Sequence, residues 1–164
     1  LVLPPTVFGW STTVPLLPVT VRFLAIESLK AAGDTPGWQE KLDVGIATYF
    51  RWMAEHPEVA VTTVVEVHSA GRRALAARSE ALKEWRRTLQ GVAYLARKAG
   101  VPVEIDEAPC SAIILTAEAY VHEYARQGRL EQVVEKTAAV QQLSRTLFEC
   151  SVVKDAAAEA ADSP

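Results

Sequence analysis

The sequence is poor in the residues that most chemistry needs. It holds two cysteines, three histidines and one methionine. Cys110 and Cys150 have neither metal-ligand spacing nor the pattern of a disulfide framework, so a reducing cytoplasm is the expected compartment. A glycine-rich phosphate loop, a nucleophile elbow and an HExxH pair are all missing, which removes the commonest nucleotide, hydrolase and zinc-protease sites. With no nucleophile–base pair and no metal set, an enzyme is not expected, nor is any cofactor. Charge of one sign is also scarce: the net charge of -3 argues against bulk nucleic-acid binding by this chain. Finally, there is no long unbroken apolar run. Leu1 to Ile26 is apolar but carries Pro4, Pro5, Pro15 and Pro18 and has no basic leader, which makes it a poor signal peptide and a poor membrane span.

What is present is helix. A chain of 164 residues, 49% apolar and 23% charged, can bury the core of one domain. The periodicity predicts an all-α fold, an antiparallel bundle of about six helices. Residues 1–18 are expected to form an irregular arm or remnant, 19–150 the helical domain and 151–164 a disordered tail. Because the chain opens at Leu1 and its only methionine is Met53, a beginning upstream of Leu1 is expected. A short helix is predicted over 19–32, ended by Gly33. From Gly37 to Ala54, Trp38, Leu42, Ile46, Tyr49, Phe50 and Met53 share one face. Pro57 then forces a break, since it lacks a backbone N–H and turns the preceding residue away from helical geometry. Glu58 to Ala70 is β-branched, but no second strand is available to pair with it, so a helix buried nearly all round is expected.

Arg72 to Ala99 is the longest predicted helix, with the stripe Leu75, Leu82, Trp85, Leu89, Val92, Ala93 and Ala96. Its eight basic residues against two acidic ones read as a solvated face with short-range pairs such as Glu80–Lys83 and Glu84–Arg87. Val101 to Ala108 reads as an acidic loop. Two helices follow, Pro109 to Arg126 and Leu130 to Glu149, joined by a tight turn at Gly128. The first is apolar round so much of its circumference that it must be buried on more than one side.

Single residues carry the remaining signal. Arg78 lies in the apolar stripe between Leu75 and Leu82, and a buried guanidinium needs a partner. That partner is a protein carboxylate such as Glu66 or Glu118, or the anionic group of a bound ligand, unless the side chain reaches solvent. Glu118 and His122 share a helical face, with His68 as a possible third metal ligand, but the spacing fits an ordinary helical pair better and no metal site is assigned. Tyr and Trp with polar tips suit a pocket wall between helices as well as a core.

The run from Trp38-Gln39-Glu40-Lys41-Leu42 through Tyr49-Phe50-Arg51-Trp52-Met53-Ala54-Glu55-His56-Pro57 resembles the second half of a TetR-type transcriptional regulator. A short helix carrying Glu66, a long helix, a loop and two closing helices joined at Gly128 extend the resemblance over Val19 to Cys150. It implies a bacterial, cytoplasmic effector-binding and dimerisation domain, taking a small apolar or amphiphilic molecule between its helices. By face, the resemblance assigns the ligand site to Tyr49, Trp52, Met53, Val65, His68, Arg78, Trp85, Leu89 and Tyr120. It implies a homodimer through the last two helices, with Ile114, Val121, Tyr124, Val133, Val140 and Leu147 at the interface. Such regulators begin with a helix-turn-helix domain, which the prolines of residues 1–18 do not allow, so DNA would be contacted only through a domain missing from this chain. The alternative is a structural or protein-interaction helical domain with no ligand. A void among Tyr49, Trp85 and Tyr120 would favour sensing, and close packing there the alternative.

Overall fold

The computed structural model describes residues 24, 26–28, 30, 31, 33 and 37–161, with side chains as far as Ser151. The expected arm over 1–18 lies outside them, and of the expected helix over 19–32 the described positions up to 31 are helical. Among the described residues the fold is all-α, a bundle of about six helices with no strand. We label the helices α1 (Trp38–Glu55), α2 (Pro57–Ala60), α3 (Arg72–Lys98), α4 (Glu107–Arg126) and α5 (Thr137–Ala161).

Helix α1 is the shared wall of the bundle, packed against α3 and α5 and against the turn that precedes α5. Leu42, Ile46, Tyr49, Phe50 and Met53 are all buried, as their spacing predicts. The helix ends at the His-Pro break. His56 leaves helical geometry at φ -127°, ψ 63°, its N–H donates to Trp52 O at 3.0 Å, and its ring stacks on Trp52 at 4.3 Å. Pro57 then opens α2 at a position where its missing N–H costs nothing.

The β-branched stretch after α2 is helical but not a regular α-helix. Val61–Val65 is a π-turn and Glu66–His68 a 3-10 turn. The hydroxyls of Thr62 and Thr63 donate to the carbonyls of Glu58 and Val59 at 2.8 and 2.7 Å. Such bonds compete with the backbone ladder and bend helices, which accounts for the widened turn. Gly71, at φ 85°, supplies the left-handed residue that starts α3.

In α3 the buried face is not quite the predicted stripe. Leu75 is 43% exposed, and Ala74 and Ala81 point inward instead. Ala74 packs on Val67 with Ala70 and Ala77 in a small cluster of its own, so only short side chains fit between α3 and the turn beneath it. Gly100, at φ 84°, ends α3, and Val101 N–H returns to Ala96 O at 3.0 Å. The acidic loop is anchored by alternation: Val103 and Ile105 are buried while Glu104 and Asp106 face out. Arg97 Nη1 donates to Val103 O at 2.8 Å.

Gly128, at φ 66°, makes the turn after α4. The last predicted helix splits in two, a 3-10 segment over Leu130–Lys136 and then α5. Helix α5 continues to Ala161, where a disordered tail was expected; the alanine-rich stretch after Lys154 has high helix propensity. It is tied to α1 by the Arg145–Asp43 ion pair and by Gln141 Nε2 donating to Asp43 O at 2.9 Å.

The expected dimer residues need correcting. Val121, Val133 and Val140 have no exposed surface, Ile114 and Tyr124 are buried, and Leu147 packs on the same core. Helix α4 is apolar on many sides because it sits between α3, the π-turn and the α5 hairpin of its own chain. Five of these side chains are thus buried within their own chain, and Leu147 is half-buried.

Phe148 is completely buried and stacks on Trp38 with ring centroids 5.4 Å apart. Phe148→Ala is expected to lower the unfolding free energy by about 3–5 kcal/mol in urea titrations. A loss under about 1 kcal/mol would mean that α5 is not docked on α1 in this way.

Candidate functional site

The site begins with Arg78. Helix α3 carries it into the bundle, where Nη2 pairs with Glu118 Oε2 of α4. The two side chains keep only 18% and 16% of their surface exposed. Of the partners considered from the sequence, Glu118 is the one observed; Glu66 is exposed. Burial raises the Glu118 carboxyl above its ordinary range, and the Arg78 charge and hydrogen bond oppose that shift.

Tyr49 of α1 completes the cluster. Its ring meets Trp85 of α3 edge-to-face at 5.6 Å, and its buried hydroxyl has no hydrogen-bond partner among the described residues. Its phenol is pushed far above the ordinary range, mainly by burial and secondly by the Glu118 charge, with Arg78 opposing. Arg78 Nε is also buried without a partner among the described residues. Orphaned buried polar atoms are costly, and two within one cluster call for an explanation.

Cavities surround this cluster. One of about 60 Å³ is lined by Tyr49, Trp85, Leu89, Ile113, Ile114 and Glu118, among others. A second, of about 30 Å³, lies on the Arg78 side, between Tyr49, Met53, Thr63, Val64, Leu82 and Glu118. A groove of about 440 Å³ runs between α1 and α3, past Leu42, Ile46, Trp85, Leu89, Val92 and Leu95, with Lys41, Glu84 and Arg87 at its edge. Trp85 lines all three, and Gly45, Ile46 and Leu89 are common to the groove and the 60 Å³ cavity. On the outer side of the ion pair, His68, Leu115 and His122 line a surface pocket of about 190 Å³ that also touches Arg78 and Glu118.

Two glycines of the groove are informative. Gly45 and Gly91 both lie inside helices, where glycine costs about 1 kcal/mol relative to alanine. Among the described residues, a Cβ on Gly91 would meet nothing within 4 Å, and one on Gly45 only Ser28 Cβ at 3.9 Å. Close packing therefore does not demand either glycine. What both do is leave the groove wide.

Five of the nine residues expected at the ligand site line the two inner cavities: Tyr49, Met53, Arg78, Trp85 and Leu89. His68 lines the outer pocket instead. Trp52, Val65 and Tyr120 line none of these spaces. Trp52 stacks on His56, and the Tyr120 ring faces Lys136, whose Nζ is 5.8 Å from its centroid. The expected void thus lies beside Tyr49 and Trp85 but not Tyr120. Sequence reasoning missed the α4 wall (Ile113, Ile114, Ala117) because residues that serve a core and residues that line a cavity in it share one apolar pattern. Among the described residues, no group of three or more His, Cys, Asp or Glu is placed to hold a metal ion. Buried Cys110, whose thiol burial pushes up to about 11, is a poor nucleophile.

No protein-family model, curated protein or solved structure matches this chain. The resemblance to TetR-type regulators gains no support from relatives, and the functional reading stands on the geometry alone.

A carboxyl with a raised native pKa binds more protons folded than unfolded. Its contribution to stability is therefore full at low pH and falls as pH rises from the ordinary value of 4.5 through the native value. Arg78→Met removes the opposing charge, so it should steepen that fall and cost about 3 kcal/mol at neutral pH. Arg78→Met combined with Glu118→Gln should flatten the profile and recover most of the loss. Urea unfolding between pH 4 and 8 tests this, and an equal loss at every pH would show that Glu118 is not the group concerned.

Proposed function

We propose that this chain is a ligand-sensing domain of the TetR regulator type, binding a small apolar or amphiphilic molecule between α1, α3 and α4. The observation that carries the reading is the convergence of an apolar groove and two inner cavities on Trp85, beside two buried polar atoms without partners. The groove's volume falls within the range of about 300–1,000 Å³ usual for small-molecule sites, and its lining combines apolar side chains with polar ones such as Lys41, Glu84 and Arg87. The glycines at positions 45 and 91 support the same reading, since they maintain space at a cost in helix stability. Binding would shift the domain between arrangements by as much as the ligand's affinity differs between them.

We assign the domain to the cytoplasm, where its free thiols Cys110 and Cys150 would persist. Among the described residues, no helix is long and apolar enough to cross a membrane. We also propose a homodimer, with the contact face moved from the buried set to the exposed side of α4, where Ala112, Leu115 and Ala119 share one stripe. Leu115 is 50% exposed, and the alanines beside it would let two α4 helices approach about a two-fold axis. DNA contact would need a domain beyond this chain.

The reading without a ligand has one observation in its favour. Tyr49 and Trp85 pack edge-to-face, as core aromatics do.

Gly45→Leu separates the two, because Gly45 lines the groove and a Cβ there meets only Ser28 Cβ, at 3.9 Å, among the described residues. The neutral probe N-phenyl-1-naphthylamine should bind the native protein saturably, one per chain. Gly45→Leu should weaken that binding by about tenfold or more while leaving the urea midpoint unchanged or higher. Absence of saturable binding, or binding indifferent to Gly45→Leu, would favour the structural domain. For the dimer, Leu115→Glu should halve the mass measured by light scattering, and a mass unaffected by the change would reject this face.

A further inference from the structure

The smaller inner cavity has features that the apolar groove does not need. It is only about 30 Å³, enough for about two waters, yet Arg78, Glu118, Tyr49 and Thr63 all line it. Tyr49, 8% exposed, has an unpaired hydroxyl, and Arg78 keeps an unpaired Nε. The Thr63 hydroxyl is already committed to Val59 O at 2.7 Å. Tyr49 and Arg78, each with an unpaired donor among the described residues, thus both line this one small space. It adjoins the apolar cavity, sharing Tyr49, Trp85 and Glu118 with it. We propose that this space is a carboxylate subsite, and that an amphiphilic monocarboxylic acid binds there by taking Arg78 from Glu118, which accepts one proton from solvent as the ligand docks.

The inference rests on the ligand-sensing reading and adds the headgroup and its proton. The ligand's carboxylate would receive the Arg78 guanidinium and the Tyr49 hydroxyl. Its chain would lie against Leu89, Ile113, Ile114 and Val140 and continue past Trp85 into the groove. A second carboxylate beside a single guanidinium cannot stay charged cheaply in a dry site, so one of the two must be neutral. Glu118 is the one already inclined to hold a proton, since burial raises its carboxyl. Its titratable or charged neighbours around these spaces are Arg78 from α3, Tyr49 from α1, His68 from the 3-10 turn and His122 from α4 itself. Tyr49 stays protonated throughout, and the two histidines lie on the solvent side of the pair. The charge count closes. Before binding, Arg78 and Glu118 sum to zero; afterwards Arg78, neutral Glu118 and the ligand carboxylate again sum to zero.

Octanoate and octanol, which share one chain and differ in the headgroup, test this by titration calorimetry in buffers of different ionisation enthalpy. Octanoate should bind the wild-type protein with uptake of close to one proton near neutral pH, its affinity falling about tenfold per pH unit above the Glu118 pKa. Octanol should bind with no uptake. Glu118→Gln should keep octanoate binding but abolish the uptake and flatten the pH dependence. Arg78→Met should lose octanoate at least tenfold while retaining octanol. If octanol binds and octanoate binds no better or without proton uptake, the carboxylate subsite is overturned while the ligand-sensing reading survives. If Glu118→Gln leaves the uptake intact, the exchange is overturned. If neither compound nor N-phenyl-1-naphthylamine binds, the ligand-sensing reading fails and the subsite with it.

Discussion

An arginine and a glutamate can share the middle of this bundle only by facing each other. Removing either partner of a buried pair leaves a charge that water no longer solvates, at a cost of several kcal/mol. The Arg78–Glu118 contact therefore fixes the rotation of α3 relative to α4, and with it the inward turn of Ala74 and Ala81. It also divides space. On one side lie the solvent-facing histidines His68 and His122, on the other Tyr49 and the apolar cavities. A methionine and a leucine of similar volume would fill these positions without orphaned donors. The protein instead keeps a pair whose Arg78 Nε has no hydrogen-bond partner among the described residues, beside an equally unpartnered Tyr49 hydroxyl. Such a pair adds little to stability, so its worth is better sought in what it can exchange with.

The groove makes the same point by different means. Helix interiors favour alanine over glycine by about 1 kcal/mol, and among the described residues no neighbour of Gly45 or Gly91 would obstruct a Cβ. The bundle thus gives up stability at two positions on facing helices, α1 and α3, and gains width between them. Trp85 connects that width to the interior, since it borders the groove and both inner cavities. A pure core would have been packed to the density of an organic crystal at the same place.

Much of this fold is legible in the residues. The α1 face and the His56–Pro57 break follow from spacing and from the chemistry of proline, and both are observed. Arg78 stands out because a charge inside an apolar stripe needs an answer, and of the two carboxylates considered, Glu66 and Glu118, it is Glu118 that supplies it. The less legible parts have one physical origin. Apolar periodicity reports that a side is buried but not by what. Val121, Val133 and Val140 read equally well as an interface or as a core, and only the packing of α4 against its own chain decides between them. The loop over 101–106 was masked by its acids, although Val101, Val103 and Ile105 alternate as an anchored extended segment does. The π-turn was hidden because β-branched residues report reluctance to form a regular helix without stating which departure they adopt.

The position of that π-turn joins the break to the site. Thr63 and Val64 lie within it and also line the cavity of Arg78 and Glu118. The turn begins one residue after α2, which itself begins at Pro57. A segment with widened hydrogen bonding, held by two threonine hydroxyls, is a softer connection than a continuous helix. The Arg78–Glu118 pair therefore borders a segment whose hydrogen bonding departs from a regular helix, next to the corner at which α1 ends. The rest of α1 is held firmly, by Phe50 and Ile46 in the core and by the Asp43–Arg145 pair at its start. One end of α1 is thus tied to α5, and the other ends at the His56–Pro57 break, beside the π-turn that lines the cavity of the ion pair.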